Sequence, residues 1–142
     1  MKKLAAIFLV AIILTLVLIM SLHGTSAEGT VGIAMPTQSL QRWNQDGANM
    51  KAALEEAGYS VNLQYANNDI ATQVAQIENM LVSGAQVLIV APIDGGVLDV
   101  VLGMAKDTGV PVIAYDRLLT GTENVDYYTT FDNYGVGVIQ GQ

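Results

Sequence analysis

The chain has 142 residues, of which 51% are hydrophobic and 13% charged; its formal charge is −7 and it contains no cysteine. That length is enough for one buried core. Without cysteine, a disulfide framework and a lipid-bearing N-terminal cysteine are both excluded, and the acidic balance argues against nucleic acid as a partner.

The chain opens with Met1-Lys2-Lys3, continues as an apolar run from Leu4 to Leu22, and reaches Thr25 and Ala27 as small residues before Glu28. A basic start, an apolar stretch and small residues at the third and first positions before a cut predict a secretory signal over residues 1–27. The run also approaches the ~20 residues that span a bilayer, so an uncleaved anchor is the alternative, and the membrane is expected to be met only there. All thirteen acidic residues lie at position 28 or later, so the chain beyond the signal is more acidic still.

From Val31 the chain alternates short β-rich runs with longer helical ones. Strand one is expected over Val31 to Met35. A helix follows, with Gly47, Met50, Leu54 and Ala57 on one face, closed by Gly58. Strand two is expected over Val61 to Tyr65. Asp69 is a natural N-cap for a helix over Ile70 to Ser83, whose apolar face reads Ile70, Val74, Ile77 and Leu81 and which Gly84 closes. Val87 to Ala91 is a continuous apolar run, as in a strand covered on both faces. Leu98, Val101, Leu102 and Ala105 mark a third helix ended by Gly109. Strand four is expected over Val112 to Tyr115 and strand five over Tyr127 to Phe131, with another helix starting near Tyr134. The glycines at 58, 84 and 109 recur at about 25 residues, the length of a βα unit, so the pattern predicts an α/β fold with a doubly wound parallel sheet.

In such sheets ligands bind beyond the carboxyl ends of the strands. Those ends carry Arg42 and Trp43 after strand one, Asn67 to Asp69 after strand two, Asp94 after strand three, Asp116 and Arg117 after strand four, and Asp132 and Asn133 after strand five. An aspartate beside an arginine offers acceptors next to a planar fork of donors, and an indole offers a flat apolar face. Arg42, Trp43, Asp116 and Arg117 therefore suit a polyhydroxylated ligand. Taken singly, Trp43 reads as a core residue of the first helix, Arg42 as a solvated charge and Asp116-Arg117 as a structural ion pair; Asp94 reads equally as a cap for the third helix, and Asn67 to Asp69 read as turn and cap residues. No phosphate-cradling glycine motif follows strand one. The one histidine is His23, so a Ser-His-Asp or Cys-His site cannot be built beyond position 28, and no metal-ligand spacing stands out. No cofactor is expected.

Val-Gly-Ile-Ala-Met at 31–35, Arg42-Trp43, Gln-Ile-Glu-Asn-Met at 76–80, Ile93-Asp94-Gly95, Ala-Tyr-Asp-Arg-Leu at 114–118, Thr-Phe-Asp-Asn at 130–133 and Val136-Gly137 together carry a resemblance. From Thr30 to Gln142 the chain resembles the periplasmic pentose- and hexose-binding proteins of the xylose-binding and multiple-sugar-binding kind. The resemblance implies a two-lobed receptor that closes on a monosaccharide and delivers it to the permease of an ABC importer. A chemoreceptor or sensor kinase is a further implied partner. It implies ligand contacts from Arg42, Trp43, Asp116 and Arg117, with Asp94 and Asn133 as secondary members. Residues 28–133 would form the N-terminal sugar-binding lobe, Phe131 to Asn133 the first hinge crossing, and 134–142 the start of a second lobe. The fold is then the first lobe of a truncated two-lobed protein, located in the periplasm and not an enzyme. The alternatives are a sugar-responsive effector domain of a transcription regulator and a truncated fragment without function.

Overall fold

The computed structural model describes residues 27–142, so the export signal expected over residues 1–27 lies almost wholly outside the described residues. Five strands, β1 (Thr30–Met35), β2 (Ser60–Tyr65), β3 (Val87–Val90), β4 (Val112–Tyr115) and β5 (Tyr127–Thr129), alternate with helices. The helices are α1 (Gln41–Glu56), α2 (Ile70–Val82), α3 (Asp99–Asp107) and α4 (Asn133–Gln140). The strands form one parallel sheet in the order β2-β1-β3-β4-β5. The chain winds one way from β1 to β2 and then the other way from β3 onward. This leaves a topological switch between β1 and β3, where such sheets open a crevice at their carboxyl edge.

Apolar side chains on both faces of the strands explain the two-sided covering. Every residue of β1 from Val31 to Met35 is buried. On one face α2 and α3 place Ile77, Met80, Val101, Leu102 and Ala105 against Ala34, Leu88, Val90, Val112 and Ala114. On the other, α1 brings Trp43, Met50 and Leu54 against Val31, Ile33, Met35 and Leu63. Gly58, Gly84 and Gly109 all sit at positive φ where a helix gives way to a strand, the conformation that glycine adopts without a Cβ penalty.

Asp69 caps α2, its Oδ1 accepting the Thr72 N–H at 2.6 Å. The apolar face expected for this helix is rotated, however. Gln73, Ile77 and Met80 are its buried residues, while Ile70 is 38% exposed. The reason is Gln73, which is fully buried because its side-chain amide satisfies the loop after β3. Its Nε2 donates to the Ala91 carbonyl at 3.0 Å and its Oε1 accepts the Ile93 N–H at 2.9 Å. Ala57, expected on the buried face of α1, is instead its exposed C-cap. β5 stops at Thr129 rather than Phe131, because β4 offers it only Ile113 to Tyr115 to pair with.

Candidate ligand-binding rim

The carboxyl edge of β1 turns through Pro36 to Leu40 into α1. Thr37 is buried there, and its Oγ1 accepts the Ser39 N–H at 3.1 Å, which shapes the turn. Arg42 and Trp43 then occupy the first turn of α1. Across the edge, β4 ends at Tyr115 and the chain continues through Asp116 and Arg117.

These four residues meet. The Arg42 guanidinium donates from Nη2 to Asp116 Oδ1, and its Nε lies 3.5 Å from Asp46 Oδ2, one helical turn along α1. The same guanidinium lies 4.8 Å from the Trp43 ring centroid and 4.9 Å from that of Phe131. The Arg117 guanidinium lies 5.1 Å from the Trp43 centroid, and its Nη1 donates to the Pro92 carbonyl at 3.0 Å. Two cations thus share one indole, an arrangement worth on the order of 1 kcal/mol per contact. Arg42 is held above its ordinary pKa by the hydrogen bond to Asp116, against the opposing effect of burial, so it stays a cation. With Arg42 half exposed, its pair with the more buried Asp116 adds at most about 1 kcal/mol to stability; its effect is to fix both side chains in place.

Trp43 takes the core place that its position on the first helix allows, and offers no open stacking face. The indole is 2% exposed, seated in the core with Ile33 and Met35 and covered by the guanidiniums. The aromatic ring that faces solvent here is Phe131, 57% exposed, which the sequence pattern assigns to a strand. Asp94 caps no helix: its Oδ1 accepts the Gly96 N–H at 2.8 Å within its own loop, and α3 begins later, after Leu98. Asn133 is the first residue of α4, and its Nδ2 donates to Thr130 Oγ1 at 3.3 Å. Asn67 and Asn68 take left-handed backbone in the turn after β2, as turn residues do.

Two further residues join the rim that the sequence pattern does not single out. Asp46 backs Arg42 from α1. Tyr115 is held above its ordinary pKa chiefly by burial and then by the Asp46 charge, so its phenol remains a donor. A cavity of about 110 Å³ opens between Tyr115, Asp116, Thr130 and Phe131. A cleft of about 200 Å³ at the opposite, amino-terminal edge of β4 is lined by Lys106, Pro111, Glu123 and Asp126 among others, without an aromatic ring. The rim therefore combines fixed guanidinium donors, a carboxylate acceptor and an exposed ring. Those are the groups that hydroxyls and ring C–H bonds require.

Residues 31–142 match the family model of the periplasmic binding protein domain. The chain belongs to that family. It is 59% identical over 112 residues to the multiple sugar-binding periplasmic protein SbpA of Azospirillum brasilense, covering 79% of this chain and 31% of that protein. It is 37% identical over 126 residues to the D-xylose-binding periplasmic protein of Escherichia coli, covering 89% of this chain and 38% of that protein. Among solved structures, an ABC transporter solute binding protein from Clostridium phytofermentans with bound β-D-glucose superposes with a TM-score of 0.77. The identity is 58%, over 79% of this chain and 35% of that one. This periplasmic binding protein domain thus spans about a third of the length of these relatives.

Proposed function

We propose that the chain contributes a sugar-binding surface to an extracytoplasmic receptor that feeds a monosaccharide to an ABC importer. The ligand class is a neutral pentose or hexose of the glucose, xylose or arabinose kind. Arg42, Arg117 and Asp116 would bond ring hydroxyls, with Trp43 holding both arginines in place from beneath. Residues 28–133 would act as the N-terminal lobe, 134–142 as the start of a second lobe, and 1–27 as the export signal. The importer's permease is the expected partner, with a chemoreceptor or sensor kinase as a further one. The role is binding without turnover: a sugar that touches two lobes shifts a hinge equilibrium toward closure.

The observation that carries this reading is the convergence of Arg42, Asp116 and Arg117 around one buried indole at the sheet's switch point. The names of the relatives support the ligand class. Calorimetry with D-glucose, D-xylose, L-arabinose and D-ribose tests it. Saturable heat with at least one of these sugars is expected; silence with all four overturns the proposal.

A further inference from the structure

Asp116 lies at φ +63° although it carries a side chain; the other described non-glycine residues at positive φ are Asn67 and Asn68, both in a turn. The Arg117 N–H donates to the Tyr115 carbonyl, two residues back, at 2.7 Å. That bond closes a three-residue γ-turn around Asp116, in the form with positive central φ, which is rare and strained. Had the strand continued, Asp116 and Arg117 would point to opposite faces of the sheet. The turn instead lets the Asp116 carboxylate reach Arg42 while the Arg117 guanidinium lies on the Trp43 ring.

Backbone of this kind persists only where its surroundings hold it. Here β5 and the residue just past it do so on both sides of Asp116. The Asp116 N–H donates to the Thr129 carbonyl at 2.8 Å. The Asp116 carbonyl accepts two hydroxyls, Tyr128 Oη at 3.2 Å and Thr130 Oγ1 at 3.2 Å, which occupies both of its lone pairs. Asn133 Nδ2 donates to Thr130 Oγ1 at 3.3 Å, so the threonine's own proton is left to point at Asp116. Tyr128 lies in β5 and Thr130 just past its end, and both hydroxyls reach the one carbonyl.

We propose that Tyr128 and Thr130 are positioning residues whose hydroxyls hold the Asp116 turn and so set where Asp116 and Arg117 meet a sugar. The consequence for sugar rests on the function proposed above; the clamp itself does not.

The test compares the full chain with its Tyr128→Phe, Thr130→Val and Thr130→Ser variants. Calorimetry with D-glucose and D-xylose is read beside NMR exchange of the Arg117 amide. Tyr128→Phe and Thr130→Val should each raise Kd about fivefold, the loss expected for one hydrogen bond, and should speed Arg117 exchange. Thr130→Ser, which keeps the hydroxyl, should restore both. Unchanged affinity and unchanged exchange in Tyr128→Phe and Thr130→Val overturn the proposal. So does an Arg117 amide that exchanges in the wild type as fast as in an unstructured peptide, a readout that needs no variant to fold. If the wild type binds none of D-glucose, D-xylose, L-arabinose and D-ribose, the receptor reading fails, and faster Arg117 exchange in the variants still supports the clamp.

Discussion

Arg42 lies between two carboxylates, Asp46 on its own helix and Asp116 across the sheet edge, and beneath it runs the Trp43 ring. Replacing Asp116 by Asn keeps the shape but removes the charge that fixes Arg42. Because the substitution also removes the charged acceptor proposed for a sugar hydroxyl, a bond worth about 1.5–3 kcal/mol, Asp116→Asn should weaken sugar binding by about tenfold or more, measured by calorimetry. Arg42→Lys should act in the same direction, since a point charge cannot reach Asp46, Asp116 and two rings at once. The pairs Arg42-Trp43 and Asp116-Arg117 were legible in the sequence because strand ends can be located from hydrophobic runs, and polar residues just past them face the crevice. A core place for Trp43 on the first helix was legible, but its cover was not. It depends on two guanidiniums, one from the first turn of α1 and one from the loop after β4, lying over one ring, which no spacing reveals. Asp46 was missed for a related reason. On a helix with many exposed residues, an aspartate four places from an arginine reads as a solvated charge.

At the level of elements, α2 is tied down by two polar residues, one at its start and one inside. Hydrogen bonding from Thr72, through its side chain and backbone, holds the Asp69 carboxyl below its ordinary pKa. A depressed folded-state value means that the cap contributes fully above the unfolded carboxylate's pKa. The contribution is lost as pH falls through the lower, folded value. Asp69→Ala should therefore lower the melting temperature by several degrees at neutral pH and make little difference in strong acid, a contrast that calorimetric melts at two pH values would show. Gln73 binds the loop after β3 through Ala91 and Ile93, and the Pro92 carbonyl between them receives Arg117. Gln73→Leu would strand a buried carbonyl and an N–H, costing about 2–4 kcal/mol in urea unfolding. Helix ends were readable from Asp69 and the glycines at 58, 84 and 109. The buried face of α2 was not, because a polarity stripe passes over a glutamine whose amide is satisfied inside.

Across the whole molecule, the βα rhythm of the sequence made the parallel sheet predictable, while the strand order and its switch between β1 and β3 emerge only from the packed chain. The short β5 and the exposed α4 were the least legible, since little packs on them: Tyr127 is 65% exposed and Tyr134 85%. The chain is acidic overall, yet both of its arginines gather at one edge, each already engaged with ring or carboxylate partners. A neutral sugar bound there should show an affinity that changes by less than about twofold between low and high salt, whereas an anionic ligand would lose affinity as salt screens the cations. The central claim is that Arg42, Trp43, Asp116 and Arg117 form one ligand-binding surface. The most direct measurement is an NMR titration with D-glucose that follows the Arg42 and Arg117 side-chain Nε–H signals and the Trp43 indole N–H. Saturable shifts confined to these signals and the Asp116–Arg117 amides are predicted, and in Asp116→Asn they should need about tenfold or more sugar to saturate. Shifts clustered instead around Lys106 and Asp126, or none with D-glucose, D-xylose, L-arabinose or D-ribose at any concentration, would contradict it.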